Sequence, residues 1–166
     1  FVFMPVFGLN QGAMPIMGYN YGAAKKDRLM QTYKEALKIA LLVMALGLLL
    51  FQALPKQLLL MFDASADMLA IGIPALRIIS LCFLPAAFGI ITGTLFQGTG
   101  HGVYSLLCSV IRQLIGILPL AFILIRIGGV TLSWASFPLA ELLGLAYSAL
   151  MLQRLYKNEI SKLGVQ

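Results

Sequence analysis

Three ionisable side chains stand inside stretches that are otherwise close to pure hydrocarbon: Arg77, Arg112 and Glu141. An Arg, Lys or Asp at the centre of a membrane helix costs about 2.5–3.5 kcal/mol on insertion scales. Residues placed there face a bundle interior or water, and by default they mark an ion or substrate path. Glu141 is the only deep acid. A carboxyl stripped of water needs either its proton or a nearby cation. A proton relay or a cation site alternates between those two states. The plainer role, favoured for Glu141 by itself, is a packing carboxyl bonded to Ser, Gln or Arg on a neighbouring helix, since structural ion pairs perturb acids too. Arg112 lies about two turns from one end of its stretch, close enough to snorkel. Such anchoring is its plainer role. The sharper one is a pair, together with Gln113, on Glu141 of the next helix. Arg77 divides in the same way between an anchor, its plainer role, and a gate or a contact between lobes.

The stretches that hold these residues set the class of the protein. Residues 37–54, 68–96, 104–125 and 132–152 are apolar over lengths suited to spanning helices, since a bilayer core about 30 Å thick takes about 20 helical residues. The 166 residues are 60% hydrophobic and 11% charged, with mean hydropathy +0.93. A soluble domain of this size leaves too much of its surface wet to hide that composition. An opening apolar segment, 1–22, reads as part of a further spanning helix whose start lies outside the sequence. It has no basic n-region, and Pro5, Gly8, Asn10 and Gln11 interrupt it, so it is not a signal peptide. Its glycines and prolines predict an irregular helix. Pro74 and Pro85 predict bends in 68–96, because each removes a backbone donor. The expected fold class is all-α: a polytopic membrane helical bundle.

Formal charge is +6, which raises the question of nucleic acid. The distribution argues for membrane topology instead. Lys25, Lys26, Arg28, Lys34 and Lys38 form one cluster, and Arg154, Lys157 and Lys162 another in the tail 153–166. Counting alternate crossings puts both clusters on one side, the cytoplasmic one by the positive-inside rule. Residues 55–67 and the lone Arg126 then lie outside, Arg126 as a mild exception, and 97–102 lies inside.

The remaining candidates read as structural. Cys82 and Cys108 fall inside spans without CxxC or His neighbours, as small buried hydrophobes. His101 stands in the turn Gln97–Gly102 with no Asp, Glu, Cys or second His near it in sequence, which suggests a solvated loop histidine. Gly89 and Gly93 share a helix face and read as packing positions. There is no Walker A sequence, HExxH or GxSxG, so an ATP-driven, hydrolytic or other enzymatic mechanism has no support. No metal or organic cofactor is expected.

The segment Gln11-Gly12-Ala13-Met14-Pro15-Ile16-Met17-Gly18-Tyr19-Asn20-Tyr21-Gly22-Ala23 resembles one that closes the second helix of the C-terminal lobe in multidrug and toxic compound extrusion (MATE) transporters. Gln11, Pro15, Asn20 and Gly22 carry that likeness. Leu76-Arg77-Ile78 with Phe96-Gln97-Gly98-Thr99-Gly100 resembles the fourth helix of that lobe and its exit. Arg112-Gln113 followed by Pro119-Leu120 resembles the fifth, and Trp134 to Glu141, with Pro138, the sixth. The resemblance implies part of a six-helix lobe of a twelve-helix transporter, missing its N-terminal lobe. It implies export of amphipathic, often cationic, small molecules against an inward flow of H+ or Na+, across the plasma membrane. Some members carry a coupling acid in this lobe's first or fourth helix. The first lies outside this sequence, and 68–96 has no acid beyond Asp67 at its outer end. Glu141 is then the candidate on this chain, with Arg112, Gln113 and Arg77 along the pathway. A related lipid-linked oligosaccharide flippase is the alternative within transport, and a membrane anchor or assembly subunit is the alternative outside it.

Overall fold

Prolines and glycines decide where the apolar stretches break. The structure, a computed structural model, describes residues 2–164. The chain runs through α1 (Phe3–Gly22), α2 (Lys26–Ala53), α3 (Pro55–Leu60), α4 (Ala66–Ser80), α5 (Phe83–Gly98), α6 (Gly102–Val110), α7 (Leu118–Ser133) and α8 (Ser136–Asn158). A π-helical segment, Ile111–Ile117, joins α6 to α7, and a 3-10 turn at Ile160–Lys162 closes the tail. Among the described residues there is no strand, so the all-α class stands.

The stretch 68–96, expected as one bent span, is two helices, α4 and α5, meeting at 49°. Only one of its two prolines makes that break. Pro85 offers no amide to the carbonyl of Leu81. Leu81 and Cys82 instead donate to Ile78 and Ile79, three residues back, at 3.2 and 3.0 Å. The Arg77 carbonyl thereby loses its helical donor and is taken up by the side chains of Gln52 (2.8 Å) and Ser80 (2.9 Å). Pro74 sits inside α4 without interrupting it. Pro119 acts in a third way. The helix ahead of it widens into the π segment, where the Leu118 amide reaches back to Gln113. Pro138 falls in the first turn of α8, where an amide has no intrahelical acceptor to lose.

The expected irregularity of the first segment is absent: α1 is continuous from Phe3 to Gly22. Pro5 lies in its first turn. Pro15 deprives the Gln11 carbonyl of a partner, but Gln11 and Pro15 are on the exposed face, away from the core. The predicted turn Arg126–Val130 centres on Gly128 and on Gly129 at φ +68°, a conformation that glycine adopts freely. One further helical turn follows before the last long helix begins at Ser136, four residues later than expected. At that junction Trp134 Nε1 and Ser136 Oγ are buried without a partner among the described residues.

By length and composition α2 and the stretch Gly102–Ser133, kinked at Gly128–Gly129, can each cross a membrane, and the bent pair α4–α5 is long and apolar enough for a third span if it crosses as one unit. The helices α1 and α8 are 20 and 23 residues long but carry more polar side chains, Asn10, Gln11 and Asn20 in one and Glu141 in the other. At the hub lies α5, packed against α1, α2, α6 and α8. Its Phe83, Ile91, Leu95 and Phe96 are buried with Val6 and Met17 of α1, Leu29 and Met44 of α2, and Leu155 of α8. Phe83 takes Phe3 and Phe51 edge-on at 5.4 and 5.3 Å. Large apolar side chains are otherwise on the outside, Leu42, Leu46, Leu49 and Phe122 among them, as expected where the surroundings are lipid.

Backbone meets backbone where α1 crosses α5. A Cβ on Gly98 would lie 3.1 Å from the Met14 carbonyl, and one on Gly18 3.1 Å from the Gly98 carbonyl. Backbone on both sides leaves nothing that can rotate away. Gly98→Val in the full-length protein is expected to cost about 1–3 kcal/mol, read as a lower unfolding midpoint in detergent.

Candidate functional site

Glycines bring three helices close enough to enclose an ion pair. Arg112, in the π segment, donates from Nη1 to Glu141 Oε1 at 3.2 Å and Oε2 at 3.5 Å. Glu141 is 7% exposed and Arg112 half-buried. The arginine stem runs over Gly144, where a Cβ would sit 3.6 Å from Arg112 Cβ. On the other side Gly89 of α5 faces the carboxylate, its missing Cβ 3.6 Å from Glu141 Oε1. Gly116 lets the π segment touch α8, since a Cβ there would fall 2.7 Å from Ala140 Cβ. The widened turn and the three glycines therefore share one outcome, which is a buried carboxylate held against a guanidinium.

A cavity of about 180 Å³ opens beside the pair, lined by Phe7 and Asn10 of α1, Gly89, Ile90, Gly93 and Gln97 of α5, and Ser105, Cys108, Ser109 and Arg112. Its walls belong to a polar seam along α5. Thr94 bonds the side chain of Asn10, Thr92 and Tyr33 share a hydrogen bond of 3.0 Å, and Gln97 Nε2 donates to Ser105 Oγ at 2.9 Å. Serine and threonine hydroxyls in such a place bond polar side chains of neighbouring helices in the absence of water. The arrangement can hold a small cation or a polar group of a larger molecule through oxygens and one exchangeable charge.

Several expectations change. Gly89 and Gly93 do more than pack helices, because they floor the cavity. Cys82 is buried as expected, whereas Cys108 is half-buried with its Sγ 3.1 Å from Ser148 Oγ. Gln113 does not join its neighbour on Glu141. It is exposed beside Leu106 and Leu114, as successive helical residues face different directions. Arg77 is exposed on α4 and does not line the cavity. Of the positions carrying the family likeness, Gln11 and Pro15 are exposed, Gly22 ends α1, and Asn20 is buried with its Nδ2 on the Ile16 carbonyl at 2.8 Å.

His101 is the clearest correction. It is no free loop histidine. Its Nε2 lies 2.9 Å from Glu159 Oε1, its Nδ1 3.1 Å from the Thr99 carbonyl, and its ring stacks on Tyr104 at 5.4 Å. Tyr21 donates to the other Glu159 oxygen at 2.5 Å. The acid comes from 58 residues downstream, so local sequence gave no sign of it. The cluster ties the tail to the ends of α1 and α5. The tyrosine hydroxyl, seconded by His101, holds the Glu159 carboxyl below the usual carboxylate value. Among the described residues no group of three or more His, Cys, Asp or Glu could hold a metal ion.

The family model MatE matches residues 1–123. The chain belongs to that family. No curated protein matches it. Among solved structures it is similar to the MATE multidrug transporter DinF-BH, solved in complex with a ligand, at 32% identity and TM-score 0.86, over 96% of this chain and 35% of that one. It is similar to a MOP superfamily transporter from Pyrococcus furiosus, described as having a binding pocket of reversed polarity that suggests a different function, at 23% identity and TM-score 0.86, over 98% of this chain and 36% of that one. A third is the outward-facing form of a multidrug resistance MATE family transporter, at 23% identity and TM-score 0.82, over 95% of this chain and 37% of that one. The chain thus spans about a third of the length of these MATE-type proteins. MATE proteins are membrane transporters, and the apolar helices of this chain accord with that setting.

Two outcomes follow. Arg112→Leu leaves a buried carboxylate unpaired and is expected to cost about 3–5 kcal/mol of stability, most of which returns in Arg112→Leu with Glu141→Leu. Unfolding of the full-length variants in detergent measures both. For Glu159 the carboxyl is lowered in the folded state, so its contribution to tail docking is complete above the ordinary value of 4.5 and is lost as pH falls through the lowered one. Amide exchange of residues 159–163 is expected to quicken in that acid range, and Glu159→Gln to remove the dependence.

Proposed function

We propose that this chain forms part of the C-terminal lobe of a secondary exporter that moves amphipathic, often cationic organic compounds out of the cell as H+ or Na+ enters. The Arg112–Glu141 pair beside a polar cavity carries the reading. Its carboxylate is paired and lies behind Gly89, which lines the cavity and sets no side chain against the Glu141 oxygens, while Arg112 itself lines the cavity. An arriving H+ or Na+ competes with Arg112 for the same oxygens. Releasing the guanidinium changes what the neighbouring helices must satisfy, and a differential interaction of that kind is what shifts a two-state equilibrium. The lobes of such proteins rock about a site near the bilayer midplane, so a change confined to one lobe can bias which side is open.

The remaining parts of the reading follow from charge. The basic clusters at Lys25–Lys38 and Arg154–Lys162 favour a cytoplasmic C-terminus in the plasma membrane, with several crossings between. Partners are then the bilayer, the N-terminal lobe of the same protein and small-molecule substrates. The flippase alternative requires a strongly cationic cavity. Here Arg112 is the cavity's one arginine and Glu141 balances it, while Arg77 lies elsewhere. That balance favours the exporter.

Drug accumulation in cells carrying the full-length gene tests the assignment. Glu141→Gln keeps the shape and one acceptor but cannot exchange a cation, and is expected to lower coupled export at least tenfold under an imposed H+ or Na+ gradient, with protein level unchanged. Export equal to wild type under every gradient removes Glu141 from the coupling step.

A further inference from the structure

A groove between α1 and α2, on the opposite side of α1 from the ion pair's cavity, combines two surfaces that the transport reading does not use. Its deeper part, about 310 Å³, is lined by Leu9, Gly12, Ala13, Ile16, Ala36 and Ile39, with Thr32 and Glu35 at its border. It continues through Ile16, Thr32 and Glu35 into a wider mouth of about 500 Å³, where Tyr19, Asn20, Lys25 and Arg28 stand. The hollow exists because small residues face each other across it. A Cβ on Gly12 would meet nothing within 4 Å.

Charge separates along the groove. Glu35, the one acid lining it, is matched by Lys38 at 2.8 Å. Asp27 lines an adjoining hollow with Lys25 and Arg28 but forms no ion pair with either. Among the described residues neither Lys25 nor Arg28 takes part in an ion pair. The mouth therefore carries two exposed cations that form no ion pair, above an apolar trough. From Arg28 to Ile39 the helix rises about 16 Å, close to one leaflet of a bilayer core about 30 Å thick.

We propose that this groove binds one anionic diacyl phospholipid of the surrounding leaflet, its phosphate between Lys25 and Arg28 and an acyl chain along Gly12, Ile16, Ala36 and Ile39. Basic pockets between membrane helices at the cytoplasmic surface recognise anionic headgroups in this way. A zwitterionic lipid brings its own cation and leaves the mouth uncompensated. Free phosphate satisfies the mouth and leaves the trough empty. A protein helix fills the trough and supplies no phosphate to the cations.

Native mass spectrometry of the full-length transporter, delipidated in mild detergent and titrated separately with dioleoyl phosphatidylglycerol and dioleoyl phosphatidylcholine, tests this. Phosphatidylglycerol is expected to bind preferentially as one retained copy, and millimolar inorganic phosphate not to displace it. Lys25→Gln and Arg28→Gln each weaken it about fivefold, while Lys157→Gln, in the basic rim but outside the groove, leaves it at the wild-type value. Gly12→Leu fills the trough and lowers retention with both cations in place. All four positions are exposed, and an unchanged unfolding midpoint confirms folding. Equal binding of the two lipids overturns the proposal, as does wild-type retention in both Arg28→Gln and Gly12→Leu, or an equal loss in Lys157→Gln. Cysteine crosslinks that place a helix of the same protein in the groove overturn it too.

Discussion

Hydrocarbon has no hydrogen bond to offer, and at two of this chain's departures from regular helix the freed group finds a partner within the protein. At the α4–α5 break the Arg77 carbonyl, abandoned by its own helix, is met by Gln52 from α2 and by Ser80. Ahead of Pro119 the ladder shifts by one residue, and Leu118 still donates, now to Gln113. The same rule governs side chains. Thr92, Thr94, Ser105 and Ser148 each bond a polar group on another helix or on their own. Together these pairings make α5 the member that the other helices share.

The ion pair obeys this rule at greater cost. Taking Arg112 and Glu141 out of water is expensive, and their attraction repays it only with close geometry. The closeness comes from what is missing. Gly89, Gly116 and Gly144 carry no side chains, and the helices settle against one another until guanidinium and carboxylate meet. Gly116 is the tightest of the three, since a Cβ there would fall 2.7 Å from Ala140 Cβ and push the π segment away from α8. Stability and the proposed exchange of cations thus depend on the same small residues.

At the end of the bundle where the charges collect, packing is of another kind. Glu159, His101 and Tyr21 join the tail to two helix ends through hydrogen bonds that water can reach. Ile160, next to Glu159, is fully buried and inserts into the main core. The apolar anchor gives the tail its place, and the polar triad sets its orientation. Ala24, at φ +53°, turns the chain between α1 and α2 so that Lys25 and Arg28 stand at the groove mouth.

Periodicity-free apolar length was enough to read a membrane helical bundle, because lipid imposes one demand on every residue of a span. Family-like segments of specific order pointed to MATE transporters, and the possible pairing of Arg112 with Glu141 was legible because two deep charges of opposite sign sat on successive, antiparallel helices. What could not be read were choices among local options with similar sequence cost. Pro74, Pro85 and Pro119 look alike in sequence, yet one is absorbed, one breaks a helix and one widens it. Gln113 adjoins Arg112 but faces elsewhere. His101 acquires an acid 58 residues away. Composition alone determined the solvent and the chain's repeated crossing of it. Tertiary packing decided which polar groups meet, because a buried donor takes whatever acceptor the surrounding helices bring within reach.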